Sequence, residues 1–250
     1  MKIIVNGSII LMYISMSIFR VISMILKSFE ALPEFLKCDG VKPYYDILKK
    51  KQASLVFKRM LDIVLAFFLM LLLLLPMLVI AICIKCTSKG PVIYKQERVT
   101  TYGRRFRIWK FRTMITGADL KGQLTCSDDD RVTKIGHKLR RFRLDELPQI
   151  FHVLSGKMSI VGTRPEVPKY VEAYTDEMLA TLLMPAGVTS LASIMFKDEA
   201  ELLENAEDAD KVYIETILPQ KMEYNLKYIS RFGFRRDIYL IAKTVKDVFL

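Results

Sequence analysis

From Ile63 to Ile84 no side chain is polar or charged. At about 1.5 Å per residue, a helix over this run is long enough to cross about 30 Å of hydrocarbon. A helix apolar on every face belongs in a membrane rather than against a soluble core. Pro76 lies inside the run. It lacks a backbone donor and crowds the Leu72 carbonyl, so a bend is expected there. Both flanks are basic. Lys49, Lys50, Lys51, Lys58 and Arg59 precede the run; Lys85, Lys89, Lys95, Arg98, Arg104, Arg105, Arg107, Lys110 and Arg112 follow it, against the single acid Glu97. Cationic flanks stay on the cytoplasmic side, and a helix that enters and leaves on one face satisfies both. The pattern predicts a re-entrant helix–break–helix hairpin over residues 55–88, with a kinked transmembrane span as the alternative.

The other apolar stretch, Ile9 to Phe19, is shorter, is interrupted by Ser15 and Ser17, and is followed by Arg20. Ser17, Arg20 and Lys27 fall near one helical face, which predicts an interfacial amphipathic helix rather than a span. No small-x-small cleavage motif marks a signal peptide. Residues 28–57, with Pro33, Gly40, Pro43 and the Lys49–Lys51 run, read as a linker. Residues 1–54 then form an N-terminal extension.

Beyond Ser88-Lys89-Gly90-Pro91 the periodicity changes. Val92–Gln96 and Phe106–Phe111 alternate as short strands, with a turn at Tyr102-Gly103. Residues 115–130 are a polar loop ending in Asp128-Asp129-Asp130. Arg131–Phe142 reads as a helix, and Leu144–Leu154 as a second one with Pro148 in its first turn. Gly162, Pro165 and Pro168 mark a loop. Further helices are expected at Glu172–Leu183, Val212–Tyr228 and Asp237–Phe249, and Glu199–Asp210 reads as an acidic, solvated helix or loop. The expected fold of residues 89–250 is α+β, mostly helical with a small β element.

Composition fits a segregated chain. Over 250 residues, 52% are hydrophobic and 26% charged, and mean hydropathy is +0.24. This excludes a disordered acidic chain, a collagen-like repeat and a disulfide scaffold. The net charge of +11 calls for polyanionic partners such as anionic lipid, phosphorylated small molecules or nucleic acid. No nucleic-acid-binding module is recognisable, and the basic run abuts the membrane segment, so nucleic acid is not expected as a partner. Cys83 and Cys86 form one C-x-x-C at the end of the apolar run, with only His137 and His152 as histidines. These read as packing residues rather than a zinc or redox site.

The candidate chemistry centres on Leu144-Asp145-Glu146-Leu147-Pro148-Gln149. Two adjacent carboxylates open a helix just after Arg140, Arg141 and Arg143. A helix N-terminus favours anions, and nearby arginines favour the ionised form. Adjacent residues do not face each other on a helix, so the pair suits two tasks. One carboxylate can attack as a nucleophile. The other can hold Mg²⁺, a cation that takes oxygen ligands from protein and substrate phosphates together. The same spacing fits a helix cap closed by an ion pair, and spacing alone does not separate the readings. Lys110, Arg112, Arg140, Arg143 and Arg164 are available to neutralise a diphosphate. Beside a membrane helix they point to a phosphorylated substrate met at the bilayer surface. The competing reading is a membrane adaptor whose basic face holds anionic lipid or a protein.

Several ordered motifs resemble a known family. They are Lys58-Arg59-Met60-Leu61-Asp62, the stretch from Ser88 to Arg98, Lys110-Phe111-Arg112-Thr113-Met114, the stretch from Asp130 to Gly136, Leu144 to Gln149, and Met158 to Pro165. Together they resemble the bacterial sugar transferases that initiate glycoconjugate assembly, the monotopic polyprenyl-phosphate phosphoglycosyl transferases, over roughly residues 55–245. The resemblance implies transfer of a phosphosugar from a UDP-sugar to undecaprenyl phosphate with release of UMP, on the cytoplasmic face of a bacterial inner membrane. It implies Asp145 as the nucleophile that becomes covalently attached to the phosphosugar. It implies Glu146, with Asp145, as Mg²⁺ ligand. It places Lys110, Arg140 and Arg164 on the family's basic positions, and Asp237 on a recurrent C-terminal aspartate. Lys197 stands where an arginine is common, and Pro185 to Ser193 departs from the family's usual Pro-Gly-Ile-Thr-Gly-Trp-Ala-Gln. Membrane lipid is an expected partner, and the sequence leaves room for a homodimer.

Overall fold

The protein is described by a computed structural model covering residues 26–118, 130–196 and 208–249. The expected interfacial helix before Leu26, most of the polar loop including Asp128 and Asp129, Lys197, and most of the acidic Glu199–Asp210 segment lie outside the described residues.

Residues 26–50 are not a linker. Two short 3₁₀ turns, Phe29–Ala31 and Glu34–Leu36, lead into α1 (Lys42–Lys50). Leu26, Leu32, Leu36, Val41, Tyr45 and Leu48 are buried in one core with Leu182, Leu183, Met184, Tyr228, Ile229 and Phe232. Proline, glycine and lysine content suggested a linker, but the apolar residues between them bury a continuous face. Tyr44 Oη donates to Glu177 Oε1 at 2.6 Å and Lys51 Nζ to the Phe232 carbonyl at 2.6 Å. The extension is therefore built into the domain.

The long apolar segment forms α2 (Gln52–Thr87), one continuous helix that contains Pro76. The expected break is absent; helical geometry carries through the proline. What α2 touches decides between lying alongside the domain and crossing away from it. Leu55 packs into the core described above, and Ala66 packs with Phe106, Ile108, Val153 and Met158. Met77 and Ile84 pack with Phe111 and Leu139. The contacts from residue 55 to residue 84 span about 44 Å at the helical rise, more than the hydrocarbon thickness of about 30 Å. The domain therefore lies alongside one face of α2 over this length. The opposite face carries Phe57, Val64, Phe68, Leu71, Leu75 and Val79 largely exposed, with Leu72 at 71% exposure. A continuous apolar stripe of this kind marks a surface meant for a membrane or a partner.

The foot of α2 is polar and buried. Lys58 is 1% exposed, and its Nζ lies 2.7 Å from Asp237 Oδ2. Arg59 donates to the Val153 and Leu154 carbonyls at 2.7 and 3.2 Å. Asp62 accepts from Ser159 Oγ at 2.7 Å and the Ile160 backbone N–H at 3.1 Å. Lys58 and Arg59 were counted as flank charges in the sequence. They are instead internal fasteners, leaving Lys49 and Lys50 to supply exposed positive charge on that side.

After α2, β1 (Ile93–Val99) and β2 (Arg105–Phe111) pair antiparallel, with Ile93 opposite Phe111 and Val99 opposite Arg105. The turn uses left-handed backbone at Tyr102 and Gly103. Then come α3 (Lys134–Arg141), capped by Thr133 Oγ1, a 3₁₀ turn Leu144–Gln149 and α4 (Ile150–Leu154). The single helix expected from Leu144 to Leu154 is thus a 3₁₀ turn followed by a short helix. β3 (Met158–Val161) leads to α5 (Pro168–Val171). The helix expected at Glu172–Leu183 is a 3₁₀ turn over Met178–Leu183. β4 (Ala186–Thr189) runs parallel to β3, a second two-stranded sheet that the alternation did not signal. The chain closes with α6 (Leu191–Met195), α7 (Ala209–Val212), a π turn Tyr213–Ile217, α8 (Leu218–Ser230) and α9 (Phe234–Phe249).

Two local contacts yield testable expectations. Gly162 and Gly187 meet backbone to backbone, and a Cβ on Gly187 would overlap the Gly162 main chain. Gly187→Ala is expected to cost about 1–3 kcal/mol, the scale of overpacking. It should also lower activity by shifting the loop after β3; a melting curve and a turnover assay check both. His152 Nε2 accepts the Trp109 backbone N–H at 3.0 Å, closing the edge of β2 that β1 leaves free. Burial, aided by the Lys157 charge, pulls the His152 pKa down to about 4 from 6.5. Below pH 6.5 the unfolded chain takes up a proton that the folded chain does not, so stability falls as pH drops through this window. Melting temperatures of wild type and His152→Gln from pH 7 to pH 4 test this: the variant should show the shallower decline.

Candidate active site

The dyad is placed by a sharp change of direction. α3 ends at Arg141, Phe142 caps it, and Arg143 adopts left-handed backbone, φ 52°. The chain then turns into Leu144–Gln149, so Asp145 and Glu146 fall in its first turn. Gly136 lets α3 sit directly on the Thr113 carbonyl, where a Cβ would clash. That close approach brings Arg140 Nε to Thr113 Oγ1 at 3.0 Å.

Glu146 is held from two other elements. Lys110, near the end of β2, donates from Nζ to Oε1 at 2.8 Å. Arg164, on the loop after β3, donates from Nη2 to the same oxygen at 2.7 Å, and its Nη1 reaches Oε2 at 3.4 Å. Three sequence-distant motifs thus converge on one carboxylate. Burial pushes the Glu146 carboxyl up, but Arg164 and Lys110 outweigh it and hold it well below the ordinary range. Lys110 is itself pulled below its ordinary value by burial, with Glu146 opposing the shift.

Asp145 is 9% exposed. Burial raises its pKa above the ordinary aspartate value, against the Lys110 charge, with Glu146 adding to the rise. Arg140 and Arg164 act on it in the same sense as Lys110. The neighbouring carboxylates therefore differ in kind. Glu146 is a fixed anion inside a cationic clamp, and Asp145 is a desolvated carboxylate at its edge. Such a divergence between paired acids accompanies a division of catalytic labour.

The other expected residues fall elsewhere. Arg112 is buried, and its Nη2 donates to the Ser88 carbonyl at 2.9 Å and to Ser88 Oγ at 2.7 Å. It ties the end of α2 to the end of β2. The Arg143 side chain makes no hydrogen bond or ion pair among the described residues. Asp237 lies at the foot of α2, accepting from Lys58 Nζ and from Tyr228 Oη at 2.7 Å each. Its carboxylate faces these partners and not the Lys110–Glu146–Arg164 cluster.

Two residues near the cluster escaped the sequence reading. Arg98 donates to the Pro165 carbonyl at 2.9 Å and feels the charges of Arg164 and Glu146. Glu166 follows the Arg164-Pro165 step and is 5% exposed. Arg98 stands in the sequence as a flank charge and as the last residue of the Ser88-to-Arg98 motif, without a site role. An acid directly after the Arg164-Pro165 step is the sequence signal for Glu166.

As to metal, no group of three or more His, Cys, Asp or Glu side chains is gathered among the described residues. Asp145 and Glu146 offer at most two carboxylates. Glu146 Oε1 accepts from both cations, while Oε2 has one longer contact, 3.4 Å from Arg164 Nη1. One or two carboxylates, completed by water and substrate phosphates, is a donor set that suits Mg²⁺.

The profile of the family described as bacterial sugar transferase matches residues 53–250. A UDP-glucose:undecaprenyl-phosphate glucose-1-phosphate transferase of Klebsiella pneumoniae is 37% identical over 202 residues, 79% of this chain and 41% of that protein. A UDP-N-acetylgalactosamine-undecaprenyl-phosphate N-acetylgalactosaminephosphotransferase of Aeromonas hydrophila is 36% identical over 177 residues, 69% of this chain and 38% of that protein. An uncharacterized sugar transferase of Bacillus subtilis is 31% identical over 194 residues, 78% of this chain and 88% of that protein. The chain thus spans about two fifths of the first two relatives and most of the third. On the match from residue 53 to residue 250, which includes every residue of the cluster, the chain belongs to the bacterial sugar transferase family.

Proposed function

We propose that the protein transfers a sugar 1-phosphate from a UDP-sugar to undecaprenyl phosphate, with UMP as the leaving product, as a first membrane step of polysaccharide or glycoconjugate assembly. The observation that carries this reading is the convergence of Lys110 and Arg164 on Glu146 beside the desolvated Asp145. An ionised Asp145 attacks the sugar-bearing phosphorus. A new carboxylate oxygen–phosphorus bond forms, the phosphorus–oxygen bond to the UMP phosphate breaks, and UMP leaves with the electron pair. A phosphate oxygen of undecaprenyl phosphate then attacks the same phosphorus, and the Asp145 carboxylate departs unchanged. No net proton transfer is required in either step.

Lys110, Arg140 and Arg164 supply positive charge where the diphosphate sits, and an arginine fork suits paired phosphate oxygens. Asp145 and Glu146 are the carboxylates that would hold Mg²⁺. When bound, that ion would neutralise the donor diphosphate. Arg112, just after β2, uses Nη2 to hold Ser88 at the end of α2, and its Nε and Nη1 make no hydrogen bond among the described residues.

α2 is read as the element seated in the cytoplasmic leaflet of a bacterial inner membrane. Its exposed apolar face enters lipid while its other face carries the domain. This monotopic seating, whether re-entrant or lying along the surface, brings a lipid-linked acceptor to the site without a crossing. The exposed Lys49 and Lys50 favour the anionic lipid surface.

UMP release measured over a panel of UDP-sugars, with undecaprenyl phosphate and Mg²⁺, tests the reaction. One or more donors should yield UMP, chelation should stop release, and Mg²⁺ should restore it. Absence of release with every donor would reject the transferase reading in favour of a lipid-holding adaptor.

A further inference from the structure

The loop that carries Arg164 is fastened on both sides. Before it, the Gly162 N–H donates to the Thr189 carbonyl at 3.0 Å and the Gly187 N–H to the Thr163 carbonyl at 2.8 Å, tying the loop to β4. After it, Arg98 Nη1 holds the Pro165 carbonyl, and the Val99 N–H donates to the Glu166 carbonyl at 2.9 Å. The Glu166 side chain then turns inward. Its Oε1 accepts from Tyr213 Oη at 2.8 Å and lies 3.4 Å from Lys221 Nζ, while Lys221 Nζ also donates to Tyr213 Oη at 2.8 Å. Arg98 Nη1 stands 3.9 Å from Glu166 Oε2. Tyr213 belongs to the π turn and Lys221 to α8, so this anchor joins the C-terminal helices to the catalytic loop.

We infer that Glu166 is a positioning residue for Arg164. Arg164 has a long side chain, and its fork onto Glu146 requires the backbone two residues upstream of Glu166 to be fixed closely. A buried carboxylate with a phenol and an ammonium as partners has one arrangement that satisfies its charge, so it fixes register as an apolar side chain would not. Glu166 also faces Arg98, whose Nε and Nη2 donate to Gln96 Oε1 and whose Nη1 holds the Pro165 carbonyl, so the same guanidinium braces both residues that follow Arg164. The inference rests on the transfer reaction proposed above.

The test combines Glu166→Gln, Arg164→Ala and the double variant in a turnover assay, with a readout that needs no turnover. That readout is the rate at which phenylglyoxal modifies Arg164, followed by peptide mass spectrometry. Glu166→Gln is expected to lower kcat/KM by up to about a hundredfold, the scale of a misplaced catalytic group. In the Arg164→Ala background the same change should cost less than about twofold, because the group being positioned is already gone. Arg164 should react faster with phenylglyoxal once its loop is loosened. Equal losses in both backgrounds, or an unchanged modification rate beside a lowered melting temperature, would reduce Glu166 to a core residue and overturn the inference. If wild type releases no UMP from any donor, the transfer reading fails, and the modification rate alone decides the role of Glu166. Should Glu166→Gln not fold, Tyr213→Phe removes one bond to Glu166 and carries the same comparisons.

Discussion

Asp145→Asn is expected to abolish UMP release while leaving the protein at least as stable as wild type. Removing a nucleophile costs on the order of 10⁴-fold or more in enzymes that form covalent intermediates. Asparagine keeps the shape of the side chain but offers no anionic oxygen to attack phosphorus. Stability should not follow activity. Asp145 is buried, and its raised pKa means that the fold disfavours its charged form. The neutral amide relieves that cost, in keeping with functional residues that are held at the expense of stability. Glu146→Gln should differ. It leaves Lys110 and Arg164 facing one another across a neutral side chain, so stability and activity should fall together. Turnover assays and melting curves on the two variants separate an attacking acid from a clamped one.

Lys58→Met carries the largest expected loss of stability. Lys58 and Asp237 are both almost fully buried and 2.7 Å apart. Removing one partner of a buried pair costs about 3–5 kcal/mol, because the other charge is stranded. Here the stranded group would be Asp237, left with only the Tyr228 hydroxyl. The pair joins α9 to the foot of α2, so its loss should also loosen the domain on its membrane helix. Replacing both partners, as Lys58→Met with Asp237→Leu, removes the stranded charge and should recover most of the loss. The double variant also probes the role of Asp237. If Asp237 is a scaffold residue, activity returns with stability. If it touches donor or acceptor, the double variant folds and stays inactive. Denaturant titration beside a turnover assay distinguishes these results.

What the sequence made legible follows from how local the physical cause was. The apolar run announces one long helix, apolar and long enough to cross a membrane, on its own, and α2 is that helix. Lys110, Glu146 and Arg164 were recognisable as candidates because each sits in a compact motif, and the structure joins all three. Sequence could not say which cations reach the dyad. Arg112 and Arg143 lie as close along the chain to the motifs as Lys110 and Arg140 do. Arg112 gives one nitrogen to Ser88 at the end of α2, and Arg143 makes the left-handed turn that leads into the dyad. Lys58 and Arg59 looked like headgroup-facing charges because burial of a charge depends on a partner far away in sequence, here Asp237 and the end of α4. The β3–β4 pair was missed for a related reason. Four-residue strands buried on both sides do not alternate, and their parallel pairing becomes visible only where Gly162 and Gly187 touch. The linker reading of residues 28–57 failed because proline and glycine content outweighed a buried stripe of leucine and tyrosine.

The central claim is that Asp145 forms a covalent bond to the phosphosugar. The most direct measurement incubates the protein with a reactive UDP-sugar and Mg²⁺ in the absence of undecaprenyl phosphate, then follows UMP release and peptide masses together. The expected result is a burst of UMP no greater than the amount of enzyme, with a sugar-phosphate adduct on the peptide containing Asp145 that disappears when undecaprenyl phosphate is added. UMP released only when the acceptor is present, with no adduct on that peptide, would contradict it and assign Asp145 a role other than nucleophile.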